Sequence, residues 1–292
     1  MHVLRSMLVI SPLGDSAAGS RADALILDLA TVPPAGLEEA RAAVRAHAAG
    51  RGENPQGLWV RIHATGTAVA RADIRAVIGE NTAGLVIPSV HSANHVRYVE
   101  ALLRDAERAA GLKDGTTALV LSIGTADGLL RAGEIARASE RVAALQLDGE
   151  GFCEEMGTSR TRDGTELAYP RAHLAVSARA ANVLAIDASF PFELEGQELL
   201  VDTAAARSFG LHGKVVLTPE QVALVNATFR PSEDEVAFAR RLQEEQEQAS
   251  GRGDEWPHLN GRMIDAAALA RARRTLEMAT AVEARDQAQA SV

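Results

Sequence analysis

Short aliphatic runs at 6–10, 24–29, 58–62, 84–87, 118–122, 142–147, 183–186 and 214–217 punctuate the first three quarters of the chain. Between them lie longer stretches, such as 37–48, 95–110 and 129–139, in which apolar residues recur at helical spacing with polar residues between them. A brief, almost uninterrupted apolar run predicts a strand buried on both faces, and the 3.6-residue recurrence predicts a helix with one solvated side. Eight alternations of the two predict a closed parallel sheet ringed by helices, a (β/α)8 barrel of the TIM type; a doubly wound open sheet is the competing arrangement.

Past Asn226 no further strand pattern appears. Pro231 and Ser232 introduce a highly charged helix expected over 233–249, a Gly-containing link follows at 250–253, and a second helix is expected over 266–283, with a fraying tail from 284 onward. The predicted organisation is therefore a barrel over 1–228 and a C-terminal helical arm or lid over 229–292.

Composition narrows the partners. The chain has 292 residues, a net charge of −9 and 47% hydrophobic residues. That acidic balance argues against nucleic acid or an anionic membrane as partner, since either needs a basic field. No stretch approaches the roughly 18 apolar residues that span a bilayer, and the N-terminal apolar run lacks a cleavage pattern, so a cytoplasmic location is expected. The single cysteine, Cys153, excludes an intrachain disulfide, fits a reducing compartment and is expected to be an inert packed thiol.

Barrel enzymes carry their chemistry at the C-terminal ends of the strands. Here those positions read Ser11-Pro12, Asp28-Leu29-Ala30-Thr31, Arg61-Ile62-His63, Ser89-Val90-His91, Gly124-Thr125-Ala126, Asp148-Gly149-Glu150-Gly151, Asp187-Ala188-Ser189 and Thr218-Pro219. The connection from Asp148 to about Pro170 is the longest and is expected to lie over the mouth.

Five segments then carry a resemblance: 22–29 (ADALILDL), 58–62 (LWVRI), 181–187, 213–226 with its Gly213-Lys214 and Pro219-Glu220-Gln221, and 261–265 (GRMID). Together they resemble the HpcH/HpaI aldolase and citrate lyase β-subunit family, in its CoA-ester lyase branch that includes citryl-CoA and malyl-CoA lyases. The resemblance implies a C–C lyase in which Mg2+, held by a Glu after strand five and an Asp after strand six, fixes a keto acid while an acyl-CoA enolate forms or departs. The motif Glu-Thr-Ala-x-Gly corresponds to Gly124-Thr125-Ala126-Asp127-Gly128, and Gly-Ala-Glu-Asp-Leu corresponds to Asp148-Gly149-Glu150-Gly151-Phe152. Both metal ligands implied by the resemblance are thus replaced by glycine. The family's Leu-Glu-Asp is Leu29-Ala30-Thr31, its Lys-Val-Glu is Ser89-Val90-His91, and its Ile-His-Pro is Leu217-Thr218-Pro219. The segment between strands one and two is also short, which truncates the first helix.

Other positions are kept. The resemblance implies that Arg61 grips a substrate carboxylate, a task suited to a guanidinium fork, although pairing with Asp28 is the structural alternative. It likewise implies that Asp265 is an acid delivered over a neighbouring subunit's barrel, in a trimer or hexamer; the alternative is an N-cap for the helix that follows. Glu150, Asp28 and Lys214 are candidate substrate contacts, with structural bonding or a snorkelling lysine as their plain readings. His63 and His91, with Asp148, Glu150 or Asp127, form a possible rebuilt metal site, but no ligand spacing supports one. The expected function is a divergent CoA-ester lyase-like protein that binds an acyl-CoA thioester or small carboxylate, its C–C chemistry lost or metal-independent. A non-catalytic binding or scaffolding subunit is the alternative.

Overall fold

The computed structural model describes residues 3–14, 20–50, 57–192, 196–252, 256–259 and 262–290. Two compact units emerge, Leu4–Phe229 and Met1–Val3 with Arg230–Val292.

In the larger unit, strands β1 (Ser6–Ile10), β2 (Ala24–Asp28), β3 (Gly57–Arg61), β4 (Gly84–Ile87), β5 (Ala118–Ile123), β6 (Val142–Leu147), β7 (Leu184–Asp187) and β8 (Gly213–Val216) pair in sequence order, all in parallel. β8 returns to β1 through Met7 opposite Val215, so the sheet closes as an eight-stranded barrel. Between the strands run α1 (Leu37–Ala49), α2 (Ala68–Val77), α3 (Ala93–Ala109), α4 (Ala126–Leu130), α5 (Ala132–Ala136), α6 (Gly149–Met156), α7 (Ala168–Ala181) and α8 (Gly196–Ser208), with α9 (Pro219–Phe229) after β8. Among the described residues no helix lies between β1 and β2, where a truncated one was expected. The connection after β6 is not an extended loop, because α6 occupies its first half.

Local chemistry sets the helix starts. Thr67, Ser92, Thr125 and Asp148 each stand just before a helix and accept a hydrogen bond from the backbone N–H three residues on. Each such cap contributes about 1 kcal/mol. α6 and α7 end on Gly157 and Asn182, both in the left-handed conformation that closes a last turn.

Alternation along the strands sorts the core into two layers. Met7, Ala24, Ile26, Trp59, Val86, Val120, Ala144, Ile186 and Val215 face one another inside the barrel. Leu27, Leu58, Leu85, Leu121 and Leu145, one residue out of step, pack against the surrounding helices. Trp59 plugs the lower barrel, and Gly84 makes room for it: a Cβ there would lie 2.7 Å from the indole Cε3. Cys153 is buried in the outer layer as a packed thiol.

The smaller unit holds α10 (Glu233–Arg252), a hairpin of β9 (His258–Leu259) and β10 (Arg262–Met263), and α11 (Ala266–Ala290). Ala239, Leu242, Ile264 and Ala272 form its core. Two expectations are corrected here. α10 runs through the first residues of the presumed link, and α11 continues to Ala290 instead of fraying from 284, with Arg230 on Asp286 at 3.1 Å in its last turns. Gly261 of the GRMID segment lies outside the described residues. No helix among the described residues is long and apolar enough to cross a membrane.

Candidate functional site

The inward parity that places Trp59 at the bottom places Arg61 one step higher, and by the same alternation Asp28, Ser122, Gln146 and Asp148 line the upper barrel. The lower half is apolar and the mouth is polar, as expected where a barrel presents its chemistry.

Arg61 donates from Nη2 to Asp28 Oδ2, and Asp28 Oδ1 accepts the Ala30 N–H at 3.0 Å. Burial lowers the pKa of the Arg61 guanidinium, but the hydrogen bond and field of Asp28, with the field of Asp148, outweigh burial and hold it above its ordinary value. The structural pairing with Asp28 therefore exists; Arg61 still keeps a donor over, because its Nε is buried and meets no acceptor. Gln146 is 5% exposed and its Oε1 also has no partner. Buried polar atoms are rarely left like this, and a donor and an acceptor left open in one polar lining mark a place where structure has not been optimised for itself.

Asp148 was expected only as one member of a rebuilt metal site. Its Oδ1 caps α6 by accepting the Gly151 N–H at 3.0 Å. Its other oxygen lies where the two glycines leave space: a Cβ at Gly124 would be 3.0 Å from Asp148 Oδ2, and a Cβ at Gly151 would be 2.9 Å from the same atom. The acid absent at 151 has in effect reappeared one helical turn earlier, in a place the resemblance assigns to glycine. The signal was in the sequence, since Asp148 continues the inward series of Ala144 and Gln146.

The other candidates fall elsewhere. Lys214 is corrected: it does not face the mouth, because its parity is that of the outer layer. It is wholly buried, neither at a substrate nor snorkelling, and its Nζ donates to Asp187 and Asp202 at 2.6 Å each. Arg171 completes this quartet through Asp187 at 2.9 Å and Asp202 at 2.6 Å. Glu150 points out to solvent, 62% exposed at its side chain, and pairs with Arg160 at 3.3 Å. Ala30 is exposed beside Asp28. Asp265 is exposed and caps α11 by accepting the Ala268 N–H at 2.6 Å, which is the plainer of its two expected roles.

His63 turns to α2 and bonds Asp73 at 2.8 Å. His91 instead lies tilted against His95, ring centres 5.1 Å apart, with His95 bonded to Thr65. Burial, then the neighbouring His91, pushes the His95 imidazole below its usual pKa. The histidines are therefore divided between two partners. Ser89, beside them, holds a left-handed backbone at φ 52°, a strained position at the mouth.

Mg2+ requires oxygen donors in near-octahedral array. Of the carboxylates here, Asp28 is held by Arg61 and Glu150 by Arg160, and Asp148 caps a helix with one oxygen. Among the described residues no three Asp, Glu, His or Cys side chains converge as a metal-binding group. The donor set at 124 and 151 thus does not fit the ion that the family resemblance implies. A separate hollow of about 410 Å3 in the smaller unit, lined by Gln243, Gln246, Leu269 and Arg273 among others, has no carboxylate, histidine or thiol in its lining.

A profile of the HpcH/HpaI aldolase/citrate lyase family matches residues 11–219. The chain is 32% identical over 224 residues to the citrate lyase subunit beta of Leuconostoc mesenteroides subsp. cremoris, covering 77% of this chain and 74% of that one. It is 28% identical over 293 residues to the L-malyl-CoA/beta-methylmalyl-CoA lyase of Cereibacter sphaeroides, covering 93% and 92%. Among solved structures, CitE of Mycobacterium tuberculosis in complex with magnesium, acetoacetate and coenzyme A superposes with a TM-score of 0.74 at 26% identity, covering 95% of this chain and 98% of that one.

Proposed function

We propose, for a chain that belongs to the HpcH/HpaI aldolase/citrate lyase family, that its barrel mouth binds an acyl-CoA thioester or a small carboxylate without Mg2+ at positions 124 and 151. Its C–C lyase chemistry is then lost or runs without the ion. The observation that carries this reading is the Asp148 carboxylate, which takes the space beside Gly124 and Gly151. Arg61 supports retained binding. Its unpartnered Nε–H can hold a ligand oxygen, and a donor fixed in a partly dry site gains more from that bond than one in water.

The known ligands of the relatives make the thioester the first candidate, since the Mycobacterium tuberculosis CitE complex holds coenzyme A and acetoacetate with magnesium. The family resemblance makes Asp265 an acid delivered over a neighbouring subunit's barrel, so a homo-oligomer, trimer or hexamer, belongs to this proposal.

The test is a calorimetric titration of the whole protein with acetyl-CoA and with pyruvate, each in excess chelator and again in Mg2+. The expected result is binding of one or both that Mg2+ leaves unchanged. Affinity that appears only with Mg2+ would overturn the reading, and silence toward every ligand would favour a non-catalytic subunit.

A further inference from the structure

The mouth differs from a metal-assisted site in its charge as well as in its donors. Its inward groups are Asp28 on β2, Arg61 on β3, Ser122 on β5, and Gln146 with Asp148 on and just after β6. β1, β4, β7 and β8 contribute the apolar Val9, Val86, Ile186 and Val215 to the same interior. Two carboxylates therefore face one guanidinium, and that guanidinium is already bonded to Asp28. Arg160, the next cation beyond Gly149, does not correct the balance, because it is itself held by Glu166 at 3.0 Å and Glu150 at 3.3 Å.

A ligand carboxylate entering here would bring a third negative charge toward one committed cation, in a partly buried space where like charges repel more strongly than in water. The atoms left without partners ask for something else. Arg61 Nε offers a hydrogen to an acceptor, and Gln146 Oε1 offers lone pairs to a donor, inside the barrel on a side chain more than nine-tenths buried. An uncharged ligand that carries both functions, such as an amide or a hydroxyl beside a carbonyl, offers each atom a partner without adding charge.

We infer that the polar upper barrel lined by Arg61, Gln146 and Asp148 receives an uncharged hydrogen-bonding group of the ligand, and that Asp148 turns ligand carboxylates away. The inference rests on the proposal above that the mouth still binds ligands, and it selects between the two ligand classes named there. Asp148 is the residue that sets the preference; Arg61 is common to both classes.

Pyruvate and pyruvamide are suitable probes, because they share size and keto group and differ in charge. Asp148→Asn is the suitable variant, since asparagine caps a helix as well as aspartate and the fold should be kept. Titration of the full-length protein should show wild type preferring pyruvamide by about tenfold or more, and Asp148→Asn shifting the ratio toward pyruvate by a similar factor. Equal or tighter pyruvate binding by wild type, or an unchanged ratio in Asp148→Asn, would overturn the inference while leaving ligand binding at the mouth intact. If pyruvate, pyruvamide and acetyl-CoA all fail to bind both proteins, the underlying proposal falls and the inference with it.

Discussion

Arg171 and Arg61 are both arginines paired with aspartate, the first wholly buried and the second partly exposed at the mouth, and they sit in opposite kinds of surroundings. In the layer between barrel and helices, Arg171 and Lys214 face Asp187 and Asp202, two cations against two anions, every contact between 2.6 and 2.9 Å. Inside the mouth, Arg61 has one carboxylate bond, an idle Nε, and an unpartnered Gln146 oxygen in the same polar lining. The first cluster is closed on itself and holds the fold; the second is open and has unused bonding capacity. An aspartate-paired guanidinium is common to both, so satisfaction of the surrounding polar atoms separates a structural network from a candidate site.

The contrast breaks first at the closed cluster. Lys214→Met leaves two buried carboxylates on one guanidinium and should cost about 3–5 kcal/mol of stability in urea unfolding. A cost below about 1 kcal/mol would mean that the quartet is not the closed unit described. Glu107 tests the same layer by pH. It takes both Nη atoms of Arg141, at 2.7 and 2.8 Å, and the backbone N–H groups of Thr117 and Gly115. Burial raises its pKa, but these bonds, led by Arg141, outweigh burial and lower it from 4.5 to about 2.

A carboxylate depressed on folding stabilises above its unfolded pKa and loses that contribution as pH falls through the folded value. Wild type should therefore lose about 3 kcal/mol more than Glu107→Gln as pH falls from about 4.5 to about 2. Parallel pH curves would contradict the account.

At the open cluster the expected sign reverses. Gln146→Met removes an unpartnered polar atom at nearly constant shape, so stability should hold or rise by up to about 1 kcal/mol, while pyruvamide affinity falls about tenfold. A loss of 2 kcal/mol or more would place Gln146 with the structural residues and erase the contrast.

How much of this was legible in the sequence follows the same division. The eight strands were readable because each is a short run buried on both faces, and the two long arm helices because their charged faces repeat. The β9 and β10 strands are two residues each, too short for any periodicity to register. Lys214 looked like a mouth residue because it stands in a matching motif, but β8 is only four residues long and parity alone decides whether a side chain faces the lumen or the helices. Arg171 resembled any solvated helix charge, since nothing local announces that Asp187 and Asp202 meet it from other elements. The glycines at 124 and 151 were visible as losses. Asp148 was visible as well, but only as one member of a rebuilt metal site; its place beside both glycines depends on β5 and β6 lying side by side, which only the closed barrel supplies.

The central claim is that Asp148 occupies the space of the ligands that residues 124 and 151 no longer provide. A Cβ at either glycine would crowd its Oδ2, so restoring the acids alone leaves the site blocked, and all three positions must change together. The direct measurement is calorimetric titration of Mg2+, with pyruvate present, into wild type and into the variant carrying Gly124→Glu, Asp148→Gly and Gly151→Asp. The account predicts no Mg2+-dependent heat in wild type and saturable binding in the triple variant; saturable Mg2+ binding by wild type would contradict it.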